Sequence, residues 1–105
     1  MTSKIVSLLS LASRARKIIS GSEMLIADLK SHKRKTKLII MAQDTADSVK
    51  KEINFLANKY NIKVIEILTK EELGHYIGKE IRSVVGIIDE NFKEGIEKLI
   101  ERGVR

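Results

Sequence analysis

A three-layer α/β/α sandwich around a four-stranded mixed sheet is the fold this sequence predicts, and three observations carry it. Helix-period segments alternate with short apolar strands along the whole chain. Two of those strands, Leu38-Ile39-Ile40-Met41-Ala42 and Val84-Val85-Gly86-Ile87-Ile88, are too apolar to leave either face in water, so helices must cover both sides of the sheet. No proline, Ser/Gly tract or internal repeat interrupts the alternation. The 105 residues, 43% apolar and 32% charged, suit one domain over positions 1–105 with a core that needs no cross-links or metals.

Each element has its own signal. Ile5, Leu8, Leu9 and Ala12 recur at helical spacing and mark a first helix that ends near the basic cluster Ser13-Arg14-Ala15-Arg16-Lys17. Lys17-Ile18-Ile19-Ser20 is long enough only for a short strand, free to pair in either direction. Ser20-Gly21-Ser22-Glu23 reads as a capping box, Ser20 accepting from the amide three residues on and Glu23 from the amide of Ser20, for a second helix to about Lys30.

The apolar strand from Lys37 to Ala42 follows, and Asp44 or Thr45 can cap the next helix. Val49, Ile53, Leu56 and Tyr60 line that helix, and Asn61 can stop it in the left-handed conformation. Val64 to Leu68 is a third strand. Thr69-Lys70-Glu71-Glu72 repeats the capping-box logic for a short helix through Tyr76 that Gly78 can terminate. After the strand from Ser83 to Ile88, Asp89 or Asn91 caps a last helix with Phe92, Ile96, Leu99 and Ile100 on its inner stripe. Phe55, Tyr60 and Phe92 are assigned to core stripes, which leaves Tyr76 as the aromatic candidate for exposure. The strand order is not readable from these signals.

Charge is segregated. The net charge is +6, yet positions 1–37 carry nine basic residues against only Glu23 and Asp28, whereas positions 38–105 carry 11 basic and 12 acidic residues. The positive field is concentrated in Arg14-Ala15-Arg16-Lys17 and in the run from Lys30 to Lys37, where it can hold a polyanion or serve as a solvated surface. The apolar runs fall far short of the roughly 20 residues that cross a bilayer. Thr2 to Ala12 lacks the charged start and small-residue cleavage site of a signal peptide, so a cytoplasmic location is expected.

Several chemistries are excluded by missing residues. Without cysteine there are no disulfides, zinc thiolates or Cys/His nucleophile pairs, and His32 and His75 are expected on the surface. No G-x-G-x-x-G, Walker-type or nucleophile-elbow pattern is present. Asp44 and Asp89 each follow an apolar strand and could share a magnesium ion, or each could simply cap a helix.

Two features remain. The helix start at Ser20-Gly21-Ser22-Glu23 can offer amides and the positive end of a macrodipole to phosphate or base edges, with Gly21 permitting close approach. In Leu73-Gly74-His75-Tyr76-Ile77-Gly78-Lys79-Glu80-Ile81-Arg82, two glycines frame a turn presenting Lys79, Glu80, Ile81 and Arg82. An exposed Ile81 has no reason in a loop without a partner; alternatively Ile81 opens the strand and is buried.

At these two features the chain resembles the kink-turn-binding ribosomal protein superfamily of archaeal L-seven-Ae, eukaryotic L-thirty-e and small bacterial relatives. The likeness runs from about Leu11 to Phe92. It is carried by Ile18-Ile19-Ser20-Gly21, by Leu38-Ile39-Ile40-Met41-Ala42-Gln43-Asp44 and by Glu72-Leu73-Gly74-His75-Tyr76-Ile77-Gly78. Through Leu11-Ala12-Ser13-Arg14-Ala15-Arg16-Lys17 it is most similar to the bacterial YlxQ type.

The resemblance implies an L-thirty-e-like sandwich that binds structured RNA through the start of the second helix and the loop before the last strand. In the family, side chains at the helix start meet sheared G·A pairs, and apolar loop residues pack on an extruded base. The family's G-x-N-E-x-x-K stands here as Gly21-Ser22-Glu23-Met24-Leu25-Ile26-Ala27, so the Asn, Glu and Lys positions hold Glu23, Met24 and Ala27. Neither Met24 nor Ala27 can hydrogen-bond guanine edges through its side chain. Lys79, Glu80 and Ile81 occupy the loop contact positions.

The resulting expectation is a non-enzymatic RNA-binding protein of ribosomal type. Its partner is structured, kink-turn-like RNA, above all ribosomal RNA, with possible association with the ribosome and no cofactor, metal, membrane or small-molecule substrate. Arg14, Arg16, Lys17, Lys30 and Lys33 are expected to neutralise phosphates, while Gly21, Ser22, Glu23, Gly78, Lys79, Glu80, Ile81 and Arg82 discriminate RNA shape. This requires the basic segment and the glycine-framed turn to lie side by side as one dock. The competing class is an adaptor that uses the same fold to hold an acidic protein surface.

Overall fold

Nine elements follow one another in the computed structural model, which describes residues 4–103: α1 (Lys4–Arg14), β1 (Ile18–Ser20), α2 (Ser22–Lys30), β2 (Leu38–Met41), α3 (Asp47–Lys59), β3 (Lys63–Glu66), α4 (Lys70–Tyr76), β4 (Val84–Ile87) and α5 (Glu90–Glu101). Thr2 and Ser3, at the head of the segment weighed against a signal peptide, lie outside the described residues. The strand order is β1-β4-β2-β3. β4 runs antiparallel to both β1 and β2, and β2 runs parallel to β3, so the sheet is mixed.

The apolar strands occupy the centre. Leu38 and Ile40 of β2 face a core closed by Ile5, Leu9, Leu73, Ile77 and Ile96 of the α1, α4 and α5 layer. Ile39 and Met41 face a second core closed by Leu25, Leu29, Ile53 and Leu56 of α2 and α3. Burial on both faces is why the period-two polar alternation of a half-exposed strand is missing here. β3 is an edge strand with Lys63 and Glu66 exposed, a common device against edge-to-edge pairing.

Three helices end in the same way. After α1, the Lys17 amide donates to Ala12 O and the Arg16 amide to Ser13 O; after α3, Ile62 donates to Ala57 O and Asn61 to Asn58 O; after α4, Lys79 donates to Gly74 O and Gly78 to His75 O. These paired bonds define Schellman motifs, whose penultimate residue is left-handed: Arg16 at φ 61°, Asn61 at φ 56° and Gly78 at φ 73°. Asn61 and Gly78 are the residues the sequence nominated for that role. Arg16 is not, since nothing but a cation marks the position.

Four expectations are corrected. Ser20 does not cap α2: it stays in β1, registered against Val85, and Gly21 takes the cap position at φ 94°, with no side chain capping the helix. Nor do Asp44 or Thr45 cap α3, which starts behind Ala46 without a side-chain cap. Asp44 accepts instead from the Lys70 amide at 2.8 Å, and the Thr45 hydroxyl donates to Ala42 O at 2.7 Å and Ser83 O at 3.2 Å. Phe55 is 68% exposed, because it stands two residues from Ile53 and thus about 200° around the helix from the buried stripe. By contrast, the capping box at Thr69 and Glu72 forms in full, and Asp89 caps α5 by accepting from the Phe92 amide.

Candidate nucleic-acid interface

Both features singled out in the sequence meet at the start of β4. The Gly21 amide donates to Val84 O, extending the β1–β4 ladder by one residue, and the Ala42 amide donates to Ser83 O from the other side. The first turn of α2 and the end of the 78–82 loop are thereby fixed to neighbouring backbone. Ser20, Gly21, Ser22, Glu23 and Met24 on one wall and Ile81, Arg82 and Ser83 on the other line a cleft of about 320 Å³. Ile81 is 58% exposed and precedes the strand, so it does not open it.

Gly21 is required by its backbone rather than by space. A side chain there would meet only Arg82 Cδ at 3.9 Å, but φ 94° with ψ 148° falls where residues other than glycine are strained by about 1–3 kcal/mol. Gly74 is required by space. A Cβ on it would lie 1.9 Å from Glu80 O and 2.6 Å from Glu80 C, so the glycine lets the loop lie directly on α4. The Arg82 amide donates to Lys70 O at 3.1 Å and pins the loop's far end to the same helix. The Arg82 guanidinium donates to Ile81 O at 2.8 Å, and its Cδ lies 3.9 Å from where a Gly21 side chain would begin.

The two basic clusters part company. The end of α1 is sewn to the end of α4 by the Ser10 hydroxyl donating to Tyr76 O at 2.8 Å and the Ser13 hydroxyl donating to Ile77 O at 3.1 Å, so Arg14 and Arg16 adjoin the Gly78 turn. Lys17 sits at the far end of β1, where its carbonyl accepts from the Ile88 amide. Arg14, Arg16 and Lys17 are all exposed.

Lys30 and Lys33 lie at the other end of α2, about 12 Å or more from Gly21 at 1.5 Å per residue. Lys30 pairs with Glu52 at 3.7 Å, and Arg34 stacks its guanidinium 3.5 Å from the Tyr60 ring centroid. Lys37 joins the same end through its amide on Ile87 O. A single continuous dock containing all the basic residues is therefore not what the fold builds; Lys17, across β4 from Lys37, and the run from Lys30 to Lys37 belong to the opposite rim.

That rim has its own organiser. The Asp28 carboxylate accepts from the Lys35 and Thr36 amides and, at 2.6 Å, from the Thr36 hydroxyl. Partial burial alone would push its pKa up, but these hydrogen bonds and the Lys35 charge outweigh burial and hold it below the ordinary carboxylate value of 3.8.

A shared magnesium site at Asp44 and Asp89 is ruled out by topology. Both residues follow the carboxyl ends of their strands, but β2 and β4 are antiparallel, so the two carboxylates stand at opposite ends of the sheet. His32 and His75 are both exposed, as expected. Among the described residues no helix is long and apolar enough to cross a membrane.

Sequence reasoning missed two contributors to this edge. Gly74 was seen as one of two framing glycines, but its contact with Glu80 is a tertiary fact without a local signal. Met24 carries no hydrogen-bonding group to mark it, yet it is 65% exposed and lines the same cleft as Ile81. Its i+1 spacing from the buried Leu25 was the available clue.

Fold and site together define a small α/β sandwich whose glycine-started helix and glycine-framed loop share one solvent-facing edge. The chain belongs to the ribosomal protein L7Ae/L30e/S12e/Gadd45 family, which it matches over residues 3–97, and the family is non-enzymatic. It is 35% identical over 98 residues to the RNA-binding protein YlxQ of Enterococcus faecium, covering 93% of this chain and 92% of the relative. Identity to the RNA-binding protein YlxQ of Bacillus subtilis (strain 168) is 31% over 94 residues, 90% of this chain and 92% of the relative.

Among solved structures, a protein of unknown function from Bacillus halodurans superposes with a TM-score of 0.88 at 31% identity, covering 95% of this chain and 99% of the other. The Giardia lamblia 15.5kD RNA binding protein superposes with a TM-score of 0.73 over 92% of this chain and 82% of its own. At 16% identity, that likeness speaks to the fold alone.

Proposed function

We propose that this protein is a non-enzymatic RNA-binding protein that docks structured RNA on the edge formed by Gly21–Met24 and Gly78–Arg82, with Arg14 and Arg16 neutralising phosphates alongside. The observation that carries the reading is the shared cleft: a helix start that no side chain caps, an exposed Ile81 and a cation, Arg82, lie together on one edge. Phosphate contacts position the RNA, and the cleft reads its shape. The favoured ligand is a sharply bent, kink-turn-like element such as those of ribosomal RNA, and the setting is the cytoplasm, on or near the ribosome. Lys30 and Lys33, on the opposite rim, contribute only through the long-range field, which falls off over about 8 Å at physiological salt.

Binding to a kink-turn hairpin, to the same hairpin with its bulge deleted and to an unstructured RNA of equal length tests this across a salt series. Neutralising three to five phosphates gives a log–log slope of roughly −2.7 to −4.5. The bent RNA is expected to bind most tightly at every salt concentration. Equal, shallow binding to all three would remove the case for RNA recognition and leave the fold to a protein partner.

A further inference from the structure

The positive charge gathers away from the cleft. At the cleft edge Lys79 and Arg82 are balanced by Glu23 and Glu80, and only Arg14 and Arg16 add charge alongside. The run from Lys30 to Lys37 holds five cations and no acid, and Lys17 flanks it across the end of β4. Lys30 pairs with Glu52 and Lys37 with Glu90, but Lys33, Arg34 and Lys35 form no ion pair among the described residues. The field therefore draws a polyanion to the rim as well as to the cleft, which serves binding when the same RNA runs over both.

The loop that carries these charges is held in place. Besides the Asp28 bonds to Lys35 and Thr36, the Ser31 hydroxyl accepts from the Lys33 amide, and the Arg34 guanidinium donates to Leu29 O and Ser31 O. Like charges fixed this close repel one another, and a line of phosphates relieves that repulsion. Arg34 also covers the Tyr60 ring, and Lys59 Nζ reaches the same ring at 5.3 Å, so the rim continues onto α3. There Lys51, Phe55 and Lys59 stand exposed on successive turns of one face, and Phe55 belongs to neither core. An aromatic face set between cations offers base stacking with phosphate neutralisation, the two contacts that single-stranded RNA takes. A duplex keeps its bases stacked on one another and would leave Phe55 unused.

We infer that the Lys33–Lys35 loop and the Lys51–Phe55–Lys59 face form a second RNA contact, a track for a single strand that leaves the bent element docked on the far edge. This rests on the RNA-binding reading above and adds a flanking strand to its ligand. Toward the bent element these cations act only through their field; toward the flank they act by contact. A flank of ten nucleotides, at roughly 3.4 Å each when stacked, covers the 34 Å of the molecule's longest extent.

The test uses the full chain and a kink-turn hairpin made blunt, with a ten-nucleotide adenosine–uridine flank at its 5′ end, and with the same flank at its 3′ end. The wild type is expected to bind one flanked hairpin about tenfold more tightly than the blunt one, since the tethered strand meets the track at high effective concentration. The double variant Lys33→Gln, Lys35→Gln is expected to cut that gain to about threefold and to flatten the salt slope for the flanked RNA by about 1.4. Phe55→Ala is expected to cut the gain to about threefold as well, but to have no effect when the flank is abasic. Both variants should bind the blunt hairpin within about twofold of the wild type. The substituted side chains are exposed, and a melting curve for each variant checks that the fold is kept.

A wild type that gains nothing from either flank, or variants that keep the full gain, overturns the track while RNA binding at the cleft stands; the rim is then left to solvent or to an acidic protein. Variants that weaken blunt and flanked hairpins alike also overturn it, because the rim would then belong to the first contact. A wild type that binds none of the three RNAs overturns both readings together.

Discussion

Gly74→Ala puts the construction of the loop to a quantitative test. The added Cβ would lie 1.9 Å from Glu80 O, and restoring an ordinary contact of 3.4 Å requires the loop to retreat by about 1.5 Å. Overpacking of this kind costs about 1–3 kcal/mol, and losing the Arg82 amide bond to Lys70 O adds about 1 kcal/mol. Alanine gains back about 1 kcal/mol of helix propensity within α4.

The net is a loss of about 2 kcal/mol, or roughly 10 °C in Tm for a domain of this size. Because Ile81 Cα lies 3.1 Å from the same Cβ, the loop's apolar contact moves with it, and affinity for bent RNA should fall by about tenfold. Thermal melting by circular dichroism and fluorescence anisotropy with the kink-turn hairpin read the two effects. A Gly74→Ala protein that melts at or above the wild-type temperature and binds unchanged would refute the claim that the loop leans on this glycine. Gly78→Ala is the control: its Cβ meets open space, so only the left-handed φ is penalised, by about 1–2 kcal/mol.

Three further outcomes are expected. Arg16→Gly should stabilise the fold by about 0.5–1 kcal/mol, because glycine suits the left-handed helix terminus, while weakening every RNA by a few fold and flattening the salt slope; urea titration and anisotropy should give these opposite signs. Ile81→Asp should abolish the preference for bent RNA yet leave weak binding to other RNAs, whereas Arg14→Ala should weaken all RNAs about equally; matching effects from the two variants would count against a split between positioning and discrimination.

Asp28→Ala should cost about 2 kcal/mol near neutral pH through its lost hydrogen bonds to the Lys35 and Thr36 segment. Its folded pKa is lowered, so the wild-type advantage is complete above the unfolded carboxylate's pKa and shrinks as pH falls through the lower folded value. The gap in urea midpoint between the two proteins should therefore be narrower at pH 3 than at pH 6, and a gap that widens in acid contradicts the assignment.

Much of this architecture was legible because its causes are local. A strand buried on both faces shows as an unbroken apolar run, and Thr69 with Glu72 announces a capping box that forms as written. What the sequence hid was relational. Ser20 has the chemistry of a cap, but the β1–β4 register claims it first. Asp44 looks like a cap for α3 because its bond to the start of α4 crosses 26 positions. The antiparallel course of β4, which separates Asp44 from Asp89 and sends the Lys30–Lys37 rim away from the loop, follows from pairing that no residue spells out. The cleft itself was half legible: Gly21 and Ile81 were marked by their types, while Met24 became visible only once α2 and the loop stood opposite each other.

Amide chemical-shift mapping of the labelled protein titrated with the kink-turn hairpin tests the shared edge most directly. The largest shifts should fall on Gly21–Met24 and Gly78–Arg82, with smaller ones at Arg14–Arg16 and almost none at Lys30–Lys37. Shifts centred on Lys30–Lys37, with the cleft silent, would contradict the account.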